Sequence, residues 1–163
     1  MIEPIMIATL QKIHTLLNGC QADWVVTGSL GMALQGVPVS VHDIDIQTDH
    51  MGAYELEERL CAHVTTPVHL KESGQMRSHF GRFEMDGVQV EIMSDIQRRI
   101  DENTWDEPTF VATYREWVDA GGMQVPVMNL EYEVRAYRRW GRQEKAEMLK
   151  RWLQEKAQTS MKR

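Results

Sequence analysis

Hydrophobic side chains recur at intervals of three and four residues in several stretches of the chain, and this spacing predicts amphipathic helices. The first stretch covers residues 3–17, where Met6, Leu10 and Ile13 share one helical face. Asn18-Gly19 then ends the predicted helix. The same spacing predicts four more helices, between Ser29 and Gly36 and over residues 51–63, 130–140 and 142–155.

Elsewhere, hydrophobic and polar residues alternate or form short β-branched runs, which predicts strands. The clearest is VQVEIM, residues 88–93, which Asp86-Gly87 joins to residues 80–85 as a hairpin. Further strands are predicted at residues 24–26, 42–48, 68–72, 110–118 and 123–127. Residues 94–108 show neither pattern and are predicted to form a surface loop with a helical turn.

The order of these elements predicts an α+β fold, in which a mixed sheet has its helices packed mainly on one side. At 163 residues and 42% hydrophobic composition, the chain suits one domain with a proper core. We expect that domain to cover residues 1–163, with a core at about 20–128, a helical segment at about 129–157 and a frayed tail at 158–163.

Charge and hydropathy narrow the choice of environment. The formal charge of −6 argues against a protein that coats nucleic acid through its overall charge, but it does not exclude a local basic groove. There is no apolar run long enough for a membrane helix, and the N-terminus lacks the basic start of a signal peptide. The expected location is the cytoplasm, without a membrane partner.

The first candidate for chemistry is the turn after the strand at residues 24–26. Gly28 breaks this strand, and Ser29 stands where its hydroxyl could cap the helix that follows. A strand that leads through a glycine into a helix start presents free backbone N–H groups, which favours an anion such as phosphate.

The second candidate is a set of acids on two predicted strands. Asp43 and Asp45 are two residues apart and share one strand face, whereas His42 is expected on the opposite face. Glu91 stands in the middle of a later strand whose other face is apolar. Paired carboxylates without a cysteine or histidine partner on their face suit Mg²⁺ or Mn²⁺ better than zinc.

A Gly-Ser at a helix start, an Asp-x-Asp on a strand and a glutamate on a later strand together resemble the nucleotidyltransferase superfamily with the DNA polymerase β-type palm. The segment GSLGMALQGVPVSVHDIDIQTD is similar to the matching part of lincosamide and aminoglycoside nucleotidyltransferases and of abortive-infection toxin nucleotidyltransferases. The chain resembles the small stand-alone members of that superfamily over most of its length.

The resemblance implies specific roles for these residues. Gly28 and Ser29 would bind the triphosphate of an NTP, and Asp43, Asp45 and Glu91 would hold two Mg²⁺ or Mn²⁺ ions. Asp43 and Asp45 would bridge both ions, whereas Glu91 would bind the ion that activates the acceptor and would also accept its proton. Two ions can stabilise the entering and the leaving oxygen at once.

Two cations near the C-terminus extend the candidate site. The stretch RAYRRWGRQEK is rich in positive charge, and one interpretation is a solvated face with Glu131 and Glu133 as salt-bridge partners. The alternative is that cations of this stretch reach the triphosphate. Its Gly-Arg-x-x-Lys resembles a feature of small antibiotic nucleotidyltransferases, which selects Arg142 and Lys145.

The function predicted from the sequence is metal-dependent transfer of an NMP unit from an NTP to an acceptor hydroxyl, with release of pyrophosphate. The acceptor stays open between a small molecule, an RNA end and a protein. Because the chain is short, we expect a homodimer or a partner protein to complete the cleft. One alternative is an inactive nucleotide-binding or regulatory module with the same fold. A metal-dependent nuclease is disfavoured because Ile92-Met93, and not x-Lys, follows Glu91.

Overall fold

The computed structural model describes residues 1–162 and contains a mixed sheet flanked by helices. The five α-helices are α1 (Pro4–Leu16), α2 (Gly28–Leu34), α3 (Gly52–Arg59), α4 (Leu130–Arg139) and α5 (Gln143–Met161). The strands are β1 (Trp24–Thr27), β2 (Ile44–Thr48), β3 (Val64–Ser73), β4 (Met76–Met85), β5 (Val88–Asp101), β6 (Thr104–Trp105), β7 (Arg115–Ala120) and β8 (Met123–Met128).

The strands follow the order β3-β4-β5-β2-β1-β8-β7, and β6 pairs with the far end of β5. The β2–β5 and β1–β8 pairs are parallel, and the other pairs are antiparallel. The predicted mixed α+β architecture is confirmed.

The main core lies on one face of this sheet. Ile44 and Ile46 of β2 are fully buried there against Leu10 of α1 and Leu56 of α3. Alternation along β2 turns the intervening Asp45 to the opposite face. The helices α1 and α3 therefore occupy one side of the sheet and leave the acidic side to other elements.

A second core joins the end of the chain to α2. Met32 of α2 packs with Val134 and Tyr137 of α4 and with Leu149 of α5. The predicted cap of α4 is present, since the side chain of Asn129 accepts a hydrogen bond from the backbone N–H of Tyr132. This packing holds the two C-terminal helices beside the start of α2.

Several boundary predictions are wrong. The strand predicted at residues 110–118 begins only at Arg115, because Val111–Thr113 form a 3-10 turn. The predicted surface loop at residues 94–108 instead contains the end of β5 and all of β6. The ladder between β4 and β5 continues to the pair Met76 and Arg98, and backbone pairing of this kind does not require an apolar pattern. The helix α5 extends to Met161, so residues 158–161 are helical and not part of a frayed tail.

Within residues 1–162, no helix combines the length and the hydropathy that crossing a bilayer requires.

Candidate active site

One row of paired residues crosses the middle of the sheet. Thr27 of β1 pairs with Asp45 of β2, and Asp45 pairs with Glu91 of β5. Glu91 pairs in turn with Arg82 of β4. Directly paired residues on neighbouring strands project to the same side of a sheet. These four side chains therefore lie on the face opposite α1 and α3.

Asp45 is an acid of this row with a strongly shifted pKa. Burial, together with the nearby carboxylates of Asp43, Glu91 and Glu133, raises the pKa of its carboxyl to about 7, against an opposing effect of Lys145. Because three other carboxylates lie near Asp45, a bound cation would stabilise its ionised form by offsetting their negative charge.

Asp43 lies immediately before β2 and lines the same cleft as Asp45. Burial raises the pKa of Asp43, and the carboxylate of Glu91 adds to this effect. Three acids from two segments of the chain thus face one cleft. His42 also lines this cleft, so its predicted position on the opposite face is wrong. Strand alternation cannot be extended to His42, because β2 begins only at Ile44.

Glu91 has partners of its own. Its Oε1 accepts hydrogen bonds from Nη2 of Arg82 at 3.1 Å and from Nε2 of Gln89 at 2.9 Å. Within the described part of the chain, no three histidine, cysteine or acidic side chains stand close enough together to hold a metal ion. Glu91 would therefore have to turn from Arg82 towards Asp45 to join a shared metal site.

The elbow, which consists of Thr27, Gly28 and Ser29, joins β1 to α2. Gly28 has a φ of +65°, and a Cβ at this position would lie 2.6 Å from Oδ2 of Asp45. Only glycine accommodates both the left-handed conformation and this close approach. Ser29 lines the cleft, but it lies inside α2, whose N-cap is Thr27, so the predicted capping role of Ser29 is wrong.

Glu133 of α4 contacts this elbow from the C-terminal segment. Its Oε1 accepts the backbone N–H of Gly28 at 3.1 Å, and the Thr27 hydroxyl donates to the same oxygen. Glu133 is only 6% exposed, and burial raises the pKa of its carboxyl while the two hydrogen bonds oppose that shift. Its assignment to a solvated face is therefore wrong, whereas Glu131 is exposed.

A signal for Glu133 was present in the sequence. Leu130, Val134 and Tyr137 form the buried face of α4, and Glu133 lies three residues after Leu130 and four before Tyr137. Residues with these spacings share a helix face. An acid on an otherwise apolar face indicates a buried partner.

Arg142 and Lys145 also line the cleft, at the start of α5. Lys145 Nζ lies 5.4 Å from the centre of the Tyr137 ring, and Arg142 Cζ lies 5.5 Å from it. Burial lowers the pKa of Lys145 and Arg142 lowers it further, whereas Asp45, Glu133 and Asp43 oppose the shift. Lys145 is therefore close enough to the acids to interact with them, and Arg142 lies beside Lys145.

The cleft has a volume of about 650 Å³, within the size range of small-molecule sites. All seven residues that the sequence selected line it: Gly28, Ser29, Asp43, Asp45, Glu91, Arg142 and Lys145. Residues that the sequence reasoning did not select also contribute, among them Gln47, Met93, Tyr137 and Trp140. Its hard oxygen donors fit Mg²⁺ or Mn²⁺, and its cations fit a phosphate group.

Similar proteins define the class to which this fold and cleft belong. A crystal structure of a candidate nucleotidyltransferase from Thermotoga maritima has 48% sequence identity and a TM-score of 0.83, covering 95% of this chain and 96% of that chain. The lincosamide antibiotic adenylyltransferase LnuA, with lincomycin bound, has 14% identity and a TM-score of 0.56, covering 78% of this chain and 82% of that chain.

ANT(2'')-Ia in complex with adenylyl-2''-tobramycin has 11% identity and a TM-score of 0.57, covering 95% of this chain and 94% of that chain. The last two likenesses concern the fold alone. The class is that of the nucleotidyltransferases, as the 48% identity with the protein from Thermotoga maritima indicates.

The sequence model of the aminoglycoside-2''-adenylyltransferase family matches residues 9–151, and the chain belongs to this family. A comparison with curated proteins finds no match. The resemblance to nucleotidyltransferases and the prediction of an enzyme with an unidentified acceptor are confirmed.

Proposed function

We propose that the protein transfers an NMP unit from an NTP to an acceptor hydroxyl in a metal-dependent reaction that releases pyrophosphate. The observation that carries this proposal is the pairing of Asp45 with Glu91 across β2 and β5, with Asp43 in the same cleft. Crowding of these acids makes the cleft a good site for divalent cations.

Each acid has a proposed role. Asp43 and Asp45 would hold both metal ions, and Glu91 would hold one and accept the proton of the acceptor hydroxyl. Bound cations would stabilise the negative charge on the entering and leaving oxygens. Both roles of Glu91 require its carboxylate to turn from Arg82 and Gln89, which donate to Oε1.

The triphosphate would lie between the elbow and the start of α5. Because the N–H of Gly28 already donates to Glu133, we assign direct phosphate contact at the elbow mainly to Ser29, with Gly28 providing the close approach. Arg142 and Lys145 would bind phosphate oxygens from the start of α5. Charge-assisted hydrogen bonds of this kind are stronger than neutral ones.

The acceptor is a separate question. Among structures with this fold, LnuA binds lincomycin, and ANT(2'')-Ia is in complex with an adenylyl-tobramycin. We therefore include antibiotic hydroxyls among the acceptors to be tried, beside an RNA end and a protein.

We also expect a homodimer or a partner protein to complete the cleft. Sedimentation of the purified chain at micromolar concentration tests whether the chain forms the homodimer.

A transfer assay tests the function. The protein is incubated with each α-labelled NTP, Mg²⁺ and a set of acceptors comprising lincomycin, tobramycin, a transfer-RNA pool and a cell lysate. We expect pyrophosphate release and a labelled acceptor from the wild type, and neither from Asp45→Asn. Equal pyrophosphate release by both proteins would contradict the proposal, because Asp45 would then be dispensable.

The contacts of Glu91 also support a second candidate function. Arg82 and Gln89 both engage its carboxylate, as would be expected of an acid that no longer serves a metal. A nucleotide-binding or regulatory module would bind Mg²⁺ and NTP without releasing pyrophosphate with any acceptor. Calorimetric binding followed by the transfer assay distinguishes the two functions.

A further inference from the structure

Glu133 is an acid in the cleft that the proposed chemistry does not use. It lies in the first turn of α4 and is only 6% exposed. Burial of a carboxylate is unfavourable unless the group is hydrogen-bonded. An apolar residue would fill the position without the free-energy cost of burying a carboxylate. The contacts of the Glu133 carboxylate therefore indicate what it does there.

Both contacts of Glu133 go to the elbow. One oxygen, Oε1, accepts from the hydroxyl of Thr27 and from the N–H of Gly28. The elbow belongs to the first part of the chain and Glu133 to the C-terminal helical segment, so these bonds join two distant segments.

The elbow also lies against Asp45, one of the proposed metal-binding acids. Thr27 pairs with Asp45 across β1 and β2, and Gly28 lies so near Asp45 that a Cβ would come within 2.6 Å of Oδ2. The elbow is therefore held between Glu133 on one side and Asp45 on the other. A shift of the elbow would change the distance between the phosphate-binding residues and the metal-binding acid.

We propose that Glu133 is a positioning residue, which holds Thr27 and Gly28 against Asp45 so that the elbow receives the triphosphate in register with the acids. This inference rests on the proposed function. We assign the role to hydrogen-bond acceptance at Oε1, which a carboxamide oxygen in the same place could also provide to the same two donors.

The test compares Glu133→Ala, which removes the acceptor, with Glu133→Gln, which retains one. Glu131→Ala is the matched control, because Glu131 is an exposed acid in the same turn of α4. The first measurement is the hydrogen exchange rate of the Gly28 amide in glycine-labelled protein. The second is the calorimetric affinity for a non-hydrolysable ATP analogue with Mg²⁺.

We expect Glu133→Ala to speed exchange at Gly28 and to weaken nucleotide binding, each by roughly tenfold, since a buried donor loses its partner. Glu133→Gln should stay within about threefold of the wild type in both measurements, as should Glu131→Ala. If Glu133→Ala does not fold, Thr27→Val and Thr27→Ser provide this comparison for the Thr27 bond alone, because only serine retains the hydroxyl that Glu133 accepts from.

Two results would overturn the inference. One is wild-type nucleotide affinity in Glu133→Ala or Thr27→Val, which would leave Glu133 a purely structural role. The other is a loss in Glu133→Gln as large as that in Glu133→Ala, which would assign the effect to charge. Failure of the proposed function is distinguishable from both, because the wild type itself would then release no pyrophosphate in the transfer assay, whatever the affinities of the variants for nucleotide.

Discussion

At the scale of one residue, the surroundings of Asp45 explain why we expect the cleft to bind a cation. The side chain is on the strand face away from the main core, yet Asp43, Glu91 and Glu133 surround it with negative charge. Burial and these neighbours raise its pKa to about 7, against an ordinary value of 3.8. In the absence of metal, part of the protein therefore carries a proton on Asp45 at neutral pH.

The first prediction concerns pH and stability. Because the pKa of Asp45 is higher in the folded than in the unfolded protein, its folded state binds more protons between about pH 4 and 7. The contribution of Asp45 to stability is therefore lost as pH rises through that window. Relative to Asp45→Asn, we expect the free energy of unfolding of the metal-free wild type to fall by a few kcal/mol, measured by denaturant titration across that range.

Divalent metal should counteract this loss, because a bound cation favours the ionised carboxylate. We expect Mg²⁺ or Mn²⁺ to raise the melting temperature of the wild type more at pH 8 than at pH 5.5. Asp45→Asn should show a much smaller rise at both values. An equal rise in both proteins would place the cation elsewhere.

The second prediction concerns Lys145. Replacement by alanine removes a cation that faces Asp45, Glu133 and Asp43, and should weaken NTP binding by roughly 10- to 100-fold, the range for hydrogen bonds to charged groups. Lys150→Ala is the matched control, because Lys150 is exposed on the same helix outside the cleft. Fluorescence titration with a labelled ATP analogue measures both, and equal affinities would remove Lys145 from the site.

Single residues also show what the sequence could reveal. Asp45 and Glu91 were predictable because strand alternation fixes the direction of each side chain from its neighbours, whereas Asp43 precedes β2 and reaches the cleft without that constraint. Glu133 was missed because its partners, Thr27 and Gly28, lie more than one hundred positions away in the chain. The N-cap of α2 is Thr27, two positions before the predicted Ser29, because α2 begins at Gly28.

At the scale of elements, the elbow between β1 and α2 requires both a left-handed backbone conformation and a close approach to Asp45. A second glycine allows the two effects to be measured separately. Gly28 and Gly87 both have a positive φ, at +65° and +80°. A Cβ at Gly28 would meet Asp45, whereas a Cβ at Gly87 would meet nothing within 4 Å. Gly87 therefore measures the cost of backbone conformation alone.

The third prediction uses this pair. Gly28→Ala and Gly87→Ala should each destabilise the fold by about 1 kcal/mol through the left-handed conformation. Only Gly28→Ala should also displace the Asp45 carboxylate and reduce Mg²⁺-dependent nucleotide binding by roughly tenfold. Denaturant unfolding and calorimetry measure the two effects, and a matching loss of binding in Gly87→Ala would exclude a specific role for the elbow contact.

Elements with a strong local pattern were predictable, and those built by pairing were not. The hairpin of β4 and β5 follows from alternation on both sides of Asp86-Gly87. The end of β5 has no such alternation, and it forms because β4 and β6 supply partners for its backbone. These backbone hydrogen bonds depend on the tertiary arrangement of the strands. The hydropathy of residues 94–101 therefore does not predict them.

At the scale of the whole molecule, the cleft is assembled from two distant parts of the chain. Residues 24–91 supply the elbow and the three acids, and residues 133–145 supply Glu133, Arg142 and Lys145. The packing of Met32 and Leu149 in one core brings these parts together. The order of elements predicted the fold class, but the placement of α4 and α5 beside α2 depends on this tertiary packing.

The central claim is that Asp43, Asp45 and Glu91 jointly bind divalent metal together with an NTP. A crystal structure of the protein with Mn²⁺ and a non-hydrolysable ATP analogue, with anomalous scattering used to locate the metal, tests it most directly. We expect anomalous peaks between the Asp43 and Asp45 carboxylates, with Glu91 turned from Arg82 towards them and the triphosphate beside Ser29. Nucleotide bound in the cleft with no manganese at Asp43 or Asp45, and with Glu91 still paired to Arg82, would contradict the claim.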